Sequence, residues 1–489
     1  MRVDGVLEVC QCDSSLEVDR RSAAESRTIL MPCFHGWAIR NALYSGLLRE
    51  LGCRGNVFVL TTSALLPDAG TIGEYAPMAH FVALDSAPVV GSPSRLLGRI
   101  AARCLNRLHY ENRVRDTRTL LAKASHGYTQ AVDSSAVTTH AAKVVDRISL
   151  VRRLLQRMLD VDLVRKNSTT AVEGLLHNLR VHTIYLQSTF FPQDRLFAAL
   201  ARCKGIRLVG SVLSWDNLSS KGPLPGEFDE YLVWGRIMRD ELLSFYDYVK
   251  PRSVKITGPV QFDWHAQARW QLSREQTCSQ FGLDPSRPYL LYGFGAPLQA
   301  PNEARVLRYI LESCTRGRLR RMRLQVCARL HPKCSAASLD DLVISYPQLA
   351  VSQPNPTADV ARWRAVPEDI ANLVNLVRHA AVVLNIFSTL TLDAIIHDRP
   401  VINIAWSPGE PKPWPGTLGQ YYTHFQPVIE LGASPVASDG REIEEYVVRY
   451  IQDPSLHRAN REALCARMCH ARDGMAHQRI AQILFPQTR

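Results

Sequence analysis

The sequence predicts an α/β fold carrying two separate sheets, and three observations carry that prediction. Short apolar runs rich in β-branched residues, too short for helices, recur between stretches of helical periodicity. Polar or glycine-rich loops follow several of these runs, where open α/β sheets hold their ligands. A helical stretch over 266–287, without strand character, separates one series of such units from the next. A chain of 489 residues suffices for two well-buried domains of roughly 200 residues each.

The stretch 381–404 is the element around which the rest is organised. Val382-Val-Leu-Asn385 reads as a buried strand, Ser388 and Thr389 as the hydroxyl-bearing start of a helix, and Val401-Ile-Asn-Ile404, beyond the breaker Pro400, as a second strand. Unpaired N–H groups and the positive end of the helix dipole at such a turn suit a phosphate. Asp393 stands one helical turn after Thr389 on the same face, where its carboxylate can accept from ribose hydroxyls. The same residues also suit an ordinary capped helix with a solvated Asp.

Composition narrows the function classes. With 46% hydrophobic and 21% charged residues the chain is globular, which excludes a disordered protein. A net charge of +12 favours acidic partners: nucleotide diphosphates, anionic lipid surfaces or nucleic acid. The 12 cysteines lack zinc-site spacing, so reduced thiols in the cytoplasm are the simplest reading. Residues 1–26 include Asp4, Glu8, Asp13, Glu17 and Asp19 and have no apolar core, so a loose leader is expected rather than a signal or anchor. No run of 18 apolar residues occurs, so membrane contact would be peripheral, at the inner face of the plasma membrane.

Within a first domain, 27–265, a strand at 28–31 leads into His35-Gly36, a helix follows to 51, and a strand covers 56–60. His35 has the proton affinity for a general base, although a single loop histidine often has no such task. Two basic helical insertions lie within 94–166. Arg95, Arg99, Arg103 and Arg107 run along the first, and Arg147, Arg152, Arg153, Arg157, Arg165 and Lys166 along the second. Beside their apolar stripes these residues suit an anionic bilayer or a lipid-linked acceptor, and equally two ordinary helices with solvated arginines. Strands at 181–186 and 206–213 precede a polar loop, 214–222, which offers Asp216, Asn217 and Lys221 either to sugar hydroxyls or to turn formation.

The second domain, 288–440, opens with a strand at 288–292 followed by Gly293-Phe-Gly295-Ala296, where glycine permits close backbone approach. A strand at 323–330 runs directly into His331-Pro332-Lys333, residues able to grip a phosphate or protonate a departing one. A helix covers 367–379, a Pro/Gly-rich loop 406–416, a lid or base-contacting wall 417–422, and terminal helices 441–489. No internal repeat or low-complexity tract is present.

Taken together, the motifs at 214–222, 257–263, 296–303 and 330–333 and the Ser-Thr…Asp helix resemble those of bacterial GT-B-fold glycosyltransferases of surface-carbohydrate biosynthesis. The likeness runs over about 29–483. The His-Pro and Ser/Thr elements are also similar to those of CDP-glycerol glycerophosphotransferases and bacterial CMP-sugar transferases. The resemblance implies two Rossmann-like domains facing across a cleft. It implies that His331, Ser388 and Thr389 contact the donor phosphates; Gly293, Gly295, Ala296 and Lys333, read from their own loops above, complete the expected donor-binding set. Asp393 stands where a Glu commonly binds the ribose, with a shorter reach. Gly-Phe-Gly-Ala replaces the Ser pairs of relatives, so backbone N–H groups would have to supply the missing hydroxyl contact. Gly36, Asn217 and Lys221 fall on the acceptor side, with His35 or Asp216 as base.

The expected activity is transfer of a sugar from a nucleotide-activated donor, itself a substrate, to a carbohydrate or lipid-linked hydroxyl acceptor, with inversion in a single displacement. No cofactor is expected, and no metal, since no Asp-x-Asp pair follows a strand. Nucleic acid is not an expected partner, because the basic residues lie on amphipathic helices without a recognised module. A UDP-N-acetylglucosamine 2-epimerase-like enzyme and a non-catalytic nucleotide-binding scaffold subunit are the alternatives.

Overall fold

The computed structural model describes residues 2–3, 6–9, 27–112, 149–167, 170–221, 223–297, 300–355, 363–410 and 415–486. Of the described residues, those up to 261, joined by those from Met475 onward, make one compact unit, and Phe262–Gly474 make the other. Parts of the expected basic insertions and leader, Gly222, Leu298, Gln299 and part of the Pro/Gly loop lie outside the described residues.

Among the described residues, unit 1 carries nine strands: β1 (Arg2–Val3), β2 (Val6–Val9), β3 (Thr28–Pro32), β4 (Asn56–Thr62), β5 (His80–Leu84), β6 (Thr183–Leu186), β7 (Arg207–Ser211), β8 (Glu230–Val233) and β9 (Val254–Ile256). Their order is β1-β2-β5-β4-β3-β6-β7-β8-β9. From β5 to β9 every pairing is parallel. Strands such as β3 and β6 are buried along their whole length, as a parallel sheet covered on both faces requires. The order reverses between β3 and β6, which makes that pair the switch point where a crevice opens at the carboxyl ends.

Two features of unit 1 depart from the sequence expectation. The leader is not wholly loose: β1 and β2 form a hairpin, and β2 pairs antiparallel with β5, Val6 facing Leu84. Alternation in so short a run competes poorly with the surrounding acidic residues, so it reads as coil from sequence alone. In addition, the helix Ala476–Leu484 belongs to this unit rather than to the one that precedes it in sequence. Arg479 Nε donates to the Thr257 carbonyl at 2.7 Å, and Arg207 to the Leu484 and Ile483 carbonyls at 3.2 and 2.8 Å.

Of the basic insertions, helices Leu96–Asn112 and Ser149–Asn167 are described and pack together. Gly98 lies against Asp162, whose carboxylate accepts from the Ser94 N–H at 2.8 Å. Asp160 and Asp162, an Asp-x-Asp pair on a helix, are thus both engaged, Asp160 with Arg202 at 2.7 Å.

Unit 2 carries β10 (Tyr289–Gly293), β11 (Gln325–Arg329), β12 (Ala350–Ser352), β13 (Val382–Asn385), β14 (Val401–Ile404) and β15 (Val436–Ala437), all parallel, in the order β12-β11-β10-β13-β14-β15. This is the doubly wound dinucleotide-binding order, with its switch point between β10 and β13. The stretch expected to organise the chain therefore supplies β13, the helix Leu390–Ile396 and β14 beside that point. A buried polar network locks it. Asn385 accepts from the Ser388 N–H at 2.9 Å, Thr391 joins Asn385 to Asn403 at 3.0 to 3.3 Å, and Asn403 donates to Ser434 at 2.6 Å. Each of these groups would cost 1–3 kcal/mol if left unpaired in the core, so together they fix the strand-to-helix turn.

Candidate functional site

In unit 2, His331 follows β11, Gly293 closes β10 with Phe294 to Ala296 after it, and Ser388 and Thr389 follow β13. These three strands are neighbours and parallel, so the structure gathers the sequence-predicted donor-binding residues on the carboxyl edge of one sheet, on both sides of the switch point. The individual contacts differ from expectation in three places.

The space above Gly293 is filled by a side chain of the protein: a Cβ there would meet Leu390 Cδ2 at 2.0 Å and would have to displace that side chain. Gly295 gives its N–H to Glu303 Oε2 at 2.8 Å, and Phe294 gives its N–H to the Arg329 carbonyl at 2.9 Å. Two amides that the sequence offered to a phosphate are therefore engaged within the protein. Glu303, which sequence reasoning missed, opens the helix Glu303–Thr315 and also accepts from Tyr292 Oη at 3.2 Å. It is 3% exposed, and burial pushes its carboxyl up to about 8. A glutamate at a helix start ordinarily signals a solvated first turn, so nothing in the sequence flags this one as buried.

His331 holds a defined tautomer. Its Nδ1 accepts from the Lys333 N–H at 3.1 Å, which leaves the ring proton on Nε2. Burial, reinforced by the Lys333 charge, pushes its pKa down to about 4. At neutral pH the ring is thus an uncharged hydrogen-bond donor and not a proton source. Lys333 itself is exposed. Ser388 Oγ accepts from the Leu390 N–H at 3.2 Å, and Phe387, just before it, adopts a left-handed backbone, φ 45°. Such a conformation in a bulky residue is sustained only by its surroundings. Here they are the Phe425 ring, edge-on at 4.9 Å, and Gly419, where any Cβ would strike Phe387 at 2.4 Å. The segment 417–422, expected as a lid or wall, thus packs against the turn that carries Ser388.

Asp393 is 6% exposed, and Oδ1 accepts from His265 Nε2 at 2.8 Å. His265 Nδ1 in turn faces His397 Nε2 at 2.9 Å. Neither histidine was singled out in the sequence, because His265 reaches Asp393 across 128 residues and no local pattern encodes the pairing.

In unit 1 the predicted acceptor-side residues also follow neighbouring strands. His35 follows β3 and Asp216 follows β7, with β6 between them. His35 stacks on Phe191, centroids 3.5 Å apart, and its Nε2 is buried without a hydrogen-bond partner among the described residues. Burial lowers its pKa to about 4, so the imidazole is unprotonated at pH 7 with a lone pair to offer. Gly36 is buried at the first position of the helix Gly36–Tyr44. Asp216 accepts from Asn217 Nδ2 at 3.2 Å and from Ser220 Oγ at 2.6 Å. Asn217 Oδ1 accepts from the Ser214 N–H at 3.1 Å, so this side chain takes part in the turn itself, and Lys221 remains exposed.

A further carboxyl, Glu241 on the helix Arg236–Phe245, is pushed up to about 8 by burial and then by the charge of Asp216. Beside this edge a cavity of about 20 Å³ is lined by Asn41, Tyr185, Gln187, Ser211, Trp234 and Thr257 among others, with no charged side chain, enough for one water-sized group.

Among the described residues no cluster of three metal-ligating side chains occurs, and no helix is long and apolar enough to cross a membrane. No protein-family model and no curated protein matches the sequence. Solved structures do match. UDP-GlcNAc 2-epimerase from Neisseria meningitidis, bound to UDP-GlcNAc, superposes with a TM-score of 0.53 at 11% identity, over 94% of this chain and 99% of that one. S. aureus MnaA with UDP gives 0.51 at 11% identity, over 94% and 96%. The wall teichoic acid polymerase TagF gives a looser 0.47 at 9% identity, over 96% and 90%. At such identities the likeness is one of architecture, and by it this chain has the GT-B fold, two Rossmann-like domains in one polypeptide.

Proposed function

We propose that the chain is an enzyme that moves a sugar from a nucleotide-activated donor to a hydroxyl acceptor in surface polysaccharide or glycolipid synthesis. One observation carries this reading: His331, the segment Gly293 to Ala296 and Ser388-Thr389 all stand at the carboxyl ends of adjacent parallel strands, at the switch point of a doubly wound sheet. The proposed donor contacts are His331 Nε2–H, the Ser388 hydroxyl, Thr389 and Lys333, with Asp393 toward the ribose. The acceptor oxygen forms a bond to the anomeric carbon as the bond from that carbon to phosphate oxygen breaks. The electron pair leaves on the nucleotide, and the hydroxyl proton passes to His35 or Asp216. A single displacement inverts the anomeric centre, through a state with oxocarbenium character. No step is assigned to a metal ion, and the reaction is placed on the cytoplasmic side.

The same fold serves 2-epimerases, so isomerisation of a nucleotide sugar is the second reading. A thermal-shift screen of UDP, CDP, CMP and GDP is expected to single out one base, because a ligand that binds only the folded state raises Tm by mass action. Incubation with the matching nucleotide sugar then separates the readings. Nucleotide release that depends on acceptor supports transfer, isomerised donor without acceptor supports epimerisation, and binding without turnover in any acceptor mixture leaves only a scaffold.

The acceptor reading extends to an anionic membrane surface. On helices Leu96–Asn112 and Ser149–Asn167, Leu96, Leu97, Ile100, Leu150 and Leu154 are 43–75% exposed beside exposed Arg95, Arg99, Arg153 and Arg157. Exposed apolar and cationic side chains on the same pair of helices suit the boundary of an anionic bilayer. Vesicles containing phosphatidylglycerol should co-sediment with the protein at low salt. The double change Leu97→Glu, Leu154→Glu should reduce binding at least fivefold; unchanged sedimentation would remove the membrane from the proposal.

A further inference from the structure

Asp393 would be a poor ligand for a diol if its carboxylate could rotate freely, since an aspartate at this place reaches less far than a glutamate. The structure limits that freedom. Oδ1 accepts from His265 Nε2 at 2.8 Å, while Oδ2 makes no hydrogen bond among the described residues. The His265 side chain is fully buried, and that of Asp393 is 8% exposed. His265 is itself held, because its Nδ1 and His397 Nε2 lie 2.9 Å apart with the rings nearly perpendicular at 79°. Toward a carboxylate, His265 Nε2 must be the donor. Its Nδ1 is then free to accept from His397 Nε2–H, so three residues from two elements share one consistent proton arrangement. The short helix Asp263–Ala266 and the helix Leu390–Ile396, which carries Asp393 and runs into its C-cap His397, are thereby joined.

We propose that His265, steadied by His397, is a positioning residue that fixes one oxygen of Asp393 and turns the other toward a vicinal diol, the ribose of a bound nucleotide. The inference rests on the donor-binding reading above. A carboxylate with one oxygen fixed loses little rotamer freedom when its second oxygen accepts from a hydroxyl, so the contact is pre-organised. The diol is the chemistry recognised: phosphate would be repelled by the same oxygen.

The test uses the full chain and calorimetric binding of UDP or CDP, whichever the thermal screen selects, of its 2′,3′-dideoxy analogue and of inorganic pyrophosphate. His265→Phe is expected to weaken the nucleoside diphosphate tenfold or more, and to change the dideoxy analogue and pyrophosphate by less than twofold. His265→Gln, which keeps an N–H toward Asp393, should stay within about threefold of the parent for all three. His397→Ala should act in the same direction as His265→Phe but less strongly, and it reports on the same device if the Phe variant does not fold. Equal losses for all three ligands would mean a structural role only, and unchanged nucleoside diphosphate binding would also overturn the proposal. A parent protein that binds no nucleotide would instead defeat the donor-binding reading, an outcome visible before any substitution is made.

Discussion

His331→Ala should lower turnover roughly 10²- to 10³-fold while leaving the fold intact. The size follows from what the side chain is. Its ring proton sits on Nε2 because Nδ1 accepts from the Lys333 N–H, and burial keeps it neutral with a pKa near 4. In the proposed reaction it would act as a fixed dipolar donor, and a pre-organised donor aimed at charge that develops in the transition state commonly contributes this much. Two readouts distinguish the role. The effect should fall on kcat, and the parent's pH profile should show no loss of activity from deprotonation of this group near pH 6.5. Near-normal turnover of the variant would remove His331 from the chemistry.

The second large effect is on stability and depends on pH. Glu303 ionises near 4.5 in an unfolded chain but near 8 in the folded protein, where burial outweighs the Gly295 N–H that favours its charge. Between those values the native state holds a proton that the unfolded state has released. Its contribution is therefore full below about 4.5, declines as pH rises, and is gone above about 8. At about 1.4 kcal/mol per unit, the cost at pH 9 is a few kcal/mol. Glu303→Gln keeps an acceptor for Gly295 and removes the ionisation. The variant should match the parent near pH 5 and exceed it increasingly toward pH 9 in guanidinium unfolding; a difference that does not vary with pH would reject this account of Glu303.

Both predictions concern residues that the sequence revealed unequally. The strand-turn-helix-strand at 381–404, the strand running into His331 and the polar loop at Asp216 were all legible, because each depends on contacts within a few residues of chain. Phosphate-binding amides at Gly295 were also expected, and there the local motif misleads. Whether an N–H is open depends on Glu303, eight residues away on a helix, and on how deeply that helix is buried. His265, Asp393 and His397 form the extreme case, since their meeting depends on tertiary packing that no periodicity records. The hairpin of β1 and β2 was missed for a related reason: its pairing with β5 spans more than seventy residues and its strands are too short to declare themselves.

The placement of helix Ala476–Leu484 in unit 1 bears on how the protein is made. Its contacts with Thr257 and Arg207 cannot form until the ribosome has delivered everything in between, including all of unit 2. The first unit to emerge is therefore the last to be completed. During synthesis it must wait with part of its surface uncovered while its neighbour, whose described residues run from Phe262 to Gly474, has the chance to fold first.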